Sequence, residues 1–498
     1  MRNRIRHAGQ FGTMHSRSRR QFLTTCSGIG VGIGALAAGN NLWSGGSFWF
    51  GTDAWGKVPA DQEAAYWLRG TGTAYRGSVV RMVTENTAPS AVIAALAKEE
   101  FTPETGIEVA IELLPLERVL QKIGMDITHG AALYDLYYLD QSWIARFADH
   151  TEDPRELYTG NAELAMPGYD MADFLPQLVD GISMYRNKMV GVPFDIPVFI
   201  MLYRRDLLDR LGLEVPVTLP EYLAVIDEIH RAMAPRLYGT TGQMKAGHYS
   251  LTCEWTAWLW GHGGSIFDSD GLFSANDDRG IEGLAYLSEL RKRMPPHVDS
   301  WTWDGQSQSL LQGLAGVTLT WGEIFPLLDD PRQSRMAGLF DTAPPPRPVA
   351  LRKPEQCGFG EIPNIGHQGG SALALSRLSA NKEAAWLFLQ WATSADVQTR
   401  ACLLGGGGSP TRASVFDDVR IKEAAGVQAG TTRHFDSVRW TIENAMGSEP
   451  AFPAWPEIAN GAIPRELGRY FAGEYDRPEA ALNVIQREAD RLAAPYRG

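Results

Sequence analysis

The side chains that could do chemistry in this 498-residue chain are carboxylates, an amide and tryptophans set in polar loops: Glu85 and Asn86, Asp140 and Trp143, Asp195, Trp255, and Trp321 with Glu323. Asp and Glu accept hydrogen bonds, and Asn both donates and accepts, so these residues suit the polar rim of a small ligand. Indole rings cover apolar faces. That is recognition chemistry, with no covalent step implied. No GxGxxG follows the first predicted strand, and neither HExxH nor GxSxG occurs. The ten histidines show no ligand spacing; His248, His262 and His367 read as loop histidines with satisfied ring nitrogens. The sequence therefore predicts no metal and no cofactor. Asp268-Ser269-Asp270-Gly271 lacks the third acid and closing Glu of a calcium loop and reads as a hairpin turn. The run at 405–412 (GGGGSPTR) is a loop without the Lys of a phosphate cradle.

The elements that must position these groups alternate between strand and helix. Residues 78–83 (SVVRMV), 107–114 (IEVAIELL) and 134–139 (YDLYYL) have strand patterns. Between them, 89–101 carries apolar residues at helical spacing behind Thr87 as cap and Pro89 in the first turn, and 116–127 reads as a second helix. Thr105-Gly106 ends the first helical unit. This order predicts a mainly parallel sheet, with ligands beyond the carboxyl ends of its strands. Loops Thr84-Glu85-Asn86-Thr87 and Asp140-Gln141-Ser142-Trp143 fall on that edge. Residues 191–208 (GVPFDIPVFIMLYRRDLL) hold a fully apolar run, 198–203, that predicts a strand covered on both faces. Pro193 and Pro197 keep the segment between them out of that strand and leave Asp195 as a charge beside it. Further on, 220–231 and 278–293 read as helices, GVTLT at 316–320 as a strand ending at Trp321, and 344–348 (PPPRP) as a stiff connection. A helix running to Trp391 should bury Trp386 and Trp391, and Trp258 and Trp260 also read as core.

At this length two or three domains are expected, and 44% apolar with 21% charged residues is a globular composition. A formal charge of −12 argues against nucleic acid as partner. No apolar run reaches the ~20 residues of a membrane span. At the N-terminus, Ser18-Arg19-Arg20-Gln21-Phe22-Leu23 precedes a mild Gly/Ala-rich stretch, with Arg2, Arg4, Arg6 and Arg17 upstream and no acid before Asp53. The pattern is that of a twin-arginine export signal over residues 1–37. Its removal would take six arginines and no acid, leaving a more acidic protein bound for the periplasm. Cys26 precedes the apolar stretch, where a lipidated cysteine would follow it, so no lipid anchor is expected. Cys253, Cys357 and Cys402 allow at most one disulfide and form no Cys-x-x-Cys motif.

Taken together, FTPETGIEV, YDLYYLDQSW, DFLPQLVDGISMYRNKMVGVPFDIPVFIMLYRRDLL, LGLEVPVTLPEY, GVTLTW, GGSALALSRLSANKEAAWLFLQWATS and GGGGSPTRASV resemble the family 1 extracellular solute-binding proteins, the maltose-binding-protein-like sugar receptors of bacterial ABC importers. The resemblance runs from about Val79 to Asp418. It implies an α/β, two-lobed periplasmic-binding-protein fold of type II, a clam-shell with hinge crossovers. It also implies a first lobe of 78–194 plus 366–412 and a second of 195–365 plus 413–498, with crossings around Asp195, near 363–369 and near 405–412. Residues 38–77 form an extra Trp- and Gly-rich extension, and the tail beyond Asp418 should pack on the second lobe. The implied activity is capture of a sugar, oligosaccharide or polyol by a monomer and delivery to an ABC permease in the inner membrane. Trp321 is the implied stacking platform and Gly370, beside the return crossing, completes the set. Two alternatives stand: a secreted carbohydrate-active enzyme, since a carboxylate pair has no motif, or a receptor for a non-sugar solute such as a polyamine.

Overall fold

The computed structural model describes residues 62–348, 365–405 and 409–497. The export signal, most of the 38–77 extension, Cys26 and Cys357 lie outside them. Among the described residues the strands are, in chain order, β1 Val79–Glu85, β2 Glu108–Leu114, β3 Leu136–Asp140, β4 Met184–Tyr185, β5 Lys188–Met189, β6 Val192–Asp195, β7 Phe199–Arg204, β8 Val317–Trp321, β9 Phe340–Ala343, β10 Gly366–His367, β11 Ser371–Leu375 and β12 Met446–Gly447.

The first sheet has the order β2-β1-β3-β11-β6. β1 pairs in parallel with β2 and β3, while β11 runs antiparallel to both β3 and β6. β6 therefore points the same way as β1, β2 and β3; the parallel order of those three was predicted, and β6, whose strand the sequence did not mark, joins them. Helices Leu116–His129 and Lys382–Ala392 pack against β1, the latter also against β11. The first is stopped by Gly130 at φ 58°, a left-handed position that glycine occupies without strain. The helix that follows β1 spans Ala88–Leu96, with Thr87 capping the Ser90 N–H, and continues through one wide turn at Ala97–Phe101 into Thr102–Thr105. It ends at Gly106, where the sequence placed its end.

β6 and β7 are separate strands, for the reason the two prolines suggested. Pro193 lies in β6, which is tolerated because β6 is the sheet's edge. The chain then crosses to a second, three-stranded antiparallel sheet of order β8-β7-β9. The crossing is held on both sides. Gly369 N–H donates to Pro197 O at 2.8 Å, Val198 bridges Gln368, and Gly322 N–H donates to Val198 O at 3.1 Å. Outgoing strand, returning strand and the turn after β8 thus form one laced junction. β7 is buried along nearly all its length. Helix Leu219–Met233 opens with a capping box of Thr218 and Glu221, and the C-terminal helix Pro478–Ala493 packs on Asp278–Arg291 and Ile463–Phe471. The Asp268–Gly271 segment is a turn closed by Gly271 N–H to Asp268 O, with Phe267 bridged to Phe273.

Just before β6 the backbone of Gly191 lies so close to β11 that a Cβ there would sit 2.8 Å from Leu373 O. Main chain cannot yield as a side chain can. Gly191→Ala is expected to cost about 1–3 kcal/mol, read as a lowered denaturant midpoint; an unchanged midpoint would mean that the edge strand shifts freely.

Candidate functional site

Three strands that run the same way end in acids: Glu85 on β1, Asp140 on β3 and Asp195 on β6. Their carboxyl groups therefore collect at one edge of the first sheet. β11 enters at that edge, and Ser371 lies opposite Asp140 on one side and Asp195 on the other. Across the junction, Phe199 pairs with Trp321 at the end of β8, and Glu323 follows in the next turn. Glu85, Asp140, Asp195 and Glu323, drawn from both sheets, act electrostatically on one another.

Three of the four acids are held by a neighbour. Thr87 Oγ1 donates to Asp195 Oδ2 at 2.8 Å, Tyr138 OH donates to Glu85 Oε2 at 3.2 Å, and Ser142 N–H donates to Asp140 Oδ1 at 2.9 Å. Asp195 is 1% exposed, and its Oδ1 is buried with no partner; Glu323 Oε2 is in the same state. Burial disfavours the charged forms. It pushes Asp140 up to about 7, with Glu449 adding repulsion against the hydrogen bonds from Ser142. It pushes Asp195 up to about 6, offset by Thr87. Glu85 and Glu323 are raised well above their ordinary range by burial first and then by the neighbouring acids. At the rim, His248 Nε2 meets Glu117 Oε1 at 2.9 Å.

These raised values fix a sign for stability against pH. The folded state keeps protons on Asp140 and Asp195 that the unfolded chain releases near pH 4. Their favourable contribution is complete below about pH 4 and lost as pH rises through 6 to 7. The buried His434 opposes them: burial and then Arg433 hold it at about 3, so protonation of the unfolded chain below about 6.5 favours unfolding. The thermal midpoint of the unliganded protein is expected to rise between pH 8 and 6.5 and flatten below. A midpoint that falls over that first interval would contradict the placement of the acids.

The aromatic part of the site centres on Trp321, 7% exposed, with its ring 4.2 Å from Phe199 and 5.5 Å from His367. Gly369 lies under it: a Cβ there would come within 2.8 Å of the indole, so this glycine admits the ring. Trp143 and Trp255 do not present open ring faces. Both are enclosed, Trp255 fully and with its Nε1 unpartnered, on an all-buried helix Tyr249–Gly261. Asn86 is half-buried beside Glu85, and its N–H donates to Leu114 O. Gly370 O accepts from Gln141 N–H and its own N–H donates to Gln368 Oε1. Trp258, Trp260, Trp386 and Trp391 are buried, as their positions predicted.

Several members of the site were not singled out from the sequence. His367 is a fully buried strand residue, where the sequence reading had it in a loop. Its ring stacks on Trp260 at 5.3 Å, Nε2 meets Glu449 Oε1 at 3.1 Å, and Nδ1 is unpartnered. Glu449 also accepts from Trp455 Nε1 at 2.6 Å, and its N–H donates to Gln141 Oε1. The Gln141 and Gln368 amides bond each other across the return crossing. Ligand atoms of Cys253, His367 and Glu449 lie within 4.8 Å of one another, so these three could hold a metal ion. The His367–Glu449 hydrogen bond equally well makes this pair a clasp between the β10 crossing and the tail. His248 and His262 do satisfy ring nitrogens locally, on Ser250 and on Trp258 O.

The family described as bacterial extracellular solute-binding protein matches residues 97–429, two-thirds of the chain. The chain belongs to that family. The solute-binding protein of Agrobacterium radiobacter K84, solved in complex with ribitol, superposes with a TM-score of 0.73 at 25% identity, covering 84% of this chain and 99% of that one. The maltose-bound MalE3 of T. maritima gives 0.71 at 22% identity, covering 84% and 100%. A curated relative of Sinorhizobium fredii, named a probable amino-acid ABC transporter periplasmic-binding protein, is 24% identical over 70% of this chain and 76% of its own length. The chain shares the two-lobed fold of these solute-binding proteins. Among the described residues no helix is long and apolar enough to cross a membrane.

Proposed function

We propose that this solute-binding protein captures a sugar or polyol between its lobes in the periplasm and delivers it to an ABC permease. The observation that carries the reading is the convergence of Glu85, Asp140 and Asp195 on one sheet edge, with Trp321 and Glu323 facing them from the other sheet. A polyhydroxylated ligand has hydroxyls for the carboxyl groups and aliphatic C–H for the indole. Carboxyls that stay protonated near neutrality can also donate to such hydroxyls. The ribitol and maltose found in the two structural neighbours support the same class. Closure is favoured by whatever contacts form only when both lobes touch the ligand. We read the protein as a monomer without turnover, contacting Glu85, Asn86, Asp140, Asp195, Trp321, Glu323 and Gly370, with Trp143 and Trp255 supporting that wall.

A thermal-shift screen of sugars, polyols and polyamines on the mature protein tests this, followed by calorimetry on the hits. Saturable binding of a hydroxylated solute with no product supports capture; release of product from a chromogenic glycoside would replace it with the enzyme reading. Delivery by the twin-arginine route is tested separately. Changing Arg19 and Arg20 together to Lys is expected to leave precursor in the cytoplasm, and undiminished periplasmic protein would assign export to another route.

A further inference from the structure

Where carboxylates are buried away from the junction, this chain gives them charged or donor partners. Asp329 is fully buried and meets Arg433 at 2.6 Å; Asp330 meets Arg332 at 2.8 Å; Glu466 meets Arg465 at 2.8 Å and Arg469 at 2.9 Å. Even the lone Glu254 accepts from Trp258 Nε1 and Gln243 N–H. The junction has donors for Glu85, Asp140 and Asp195 but no cation. Among the described residues, no Lys or Arg forms an ion pair or hydrogen bond with Glu85, Asp140, Asp195 or Glu323. The hydroxyls beside them are already committed: Thr87 to Asp195, Tyr138 to Glu85, Ser142 to Asp140. Two buried oxygens, Asp195 Oδ1 on one side and Glu323 Oε2 on the other, are left with nothing to accept from.

A neutral sugar answers this only while the carboxyls keep their protons. Its hydroxyls need donors as well as acceptors, and four carboxyls in one cluster have no other donor to give. An ammonium group carries three donors and no acceptor, and its charge offsets the mutual repulsion of the acids. Resting on the capture reading above, we propose that the solute of this protein carries an amine on a hydroxylated skeleton, an amino sugar or aminated polyol, with the ammonium lodged between Asp195 and Glu323. The other titratable groups facing the cluster do not supply that charge. Glu117, Asp304, Glu449, Tyr138, Tyr249, Cys253 and Cys402 can ionise only to anions, and His248 is taken by Glu117, with Lys245 beside it.

The test is calorimetric titration of the mature protein with matched pairs, glucosamine against glucose and 1-amino-1-deoxysorbitol against sorbitol, with spermidine as an amine lacking hydroxyls. Each is run at pH 8 and pH 5.5 in two buffers of different ionisation heat. Expected is a preference of roughly thirtyfold or more for the amine of at least one pair. Amine binding should release protons and weaken at pH 5.5, as the carboxyls it needs become protonated. Glu323→Gln should shrink the amine preference while the thermal midpoint shows the fold intact. Equal or tighter binding of the neutral partners overturns the proposal and leaves sugar capture standing. Spermidine binding as tightly as either hydroxylated amine overturns the hydroxylated skeleton, and binding of none of the five overturns the capture reading as well.

Discussion

Asp195→Asn is expected to raise the thermal midpoint of the empty protein at pH 8 while weakening solute capture by roughly a hundredfold. The two effects have one cause. Asp195 ends β6 at 1% exposure, with Thr87 on one oxygen and nothing on the other. Above its raised value of about 6 the charge is held there against the cost of burial. An amide of the same shape still accepts from Thr87 and carries no charge, so the empty fold is relieved. The ligand loses a charged partner in a dry site, where such bonds are strongest. Differential scanning calorimetry at pH 8 and pH 5 together with titration of a bound solute reads both halves. The stabilisation should fade toward pH 5, where the native carboxyl is already neutral. A variant that binds as well as the parent would place Asp195 outside the contact surface and leave only its effect on stability.

Trp321→Ala has the second large effect, and here affinity and stability fall together. The ring packs on Phe199, faces His367 and closes over Gly369, so its removal opens a cavity at the lobe junction costing about 3–5 kcal/mol. Binding should weaken by roughly tenfold to a hundredfold. Trp321→Phe separates the two, since a smaller ring fills part of the space and still offers an aromatic face. It should keep most of the stability and an intermediate affinity. If the Phe variant keeps the parent's stability and loses as much affinity as the Ala variant, the indole is a ligand contact in its own right. If affinity tracks stability across both, Trp321 is a wall of the junction and not a platform.

How much of this could be read from the residues depends on how local the signal was. The parallel sheet and its acidic edge were legible because strand, helix and cap follow one another within about 30 residues, and each strand ends in its own polar loop. Asp195 was legible because two prolines bracket it. The enclosure of Trp255 was not, since burial of a ring is decided by distant packing; its helix is buried all round and has no single apolar face to mark which side meets a neighbour. Glu449 and His367 left no sign at all. They lie 82 residues apart and meet only because β12 pairs with the two-residue strand β10, a contact too short to show as a pattern. Thr87 and Gln141 sat within loops already picked out, but their obvious roles as cap and loop polarity masked a second one.

The laced crossing has a mechanical meaning. Only residues 196–198 separate Asp195, fixed in one sheet, from Phe199, fixed in the other, and both neighbours of that strap are bonded to it. Such a joint is stiff to stretching and shear and yields mainly to twist. Asp195 therefore sits next to the axle, where a turn of one sheet against the other displaces it least. A solute held there would be gripped near the pivot in either posture.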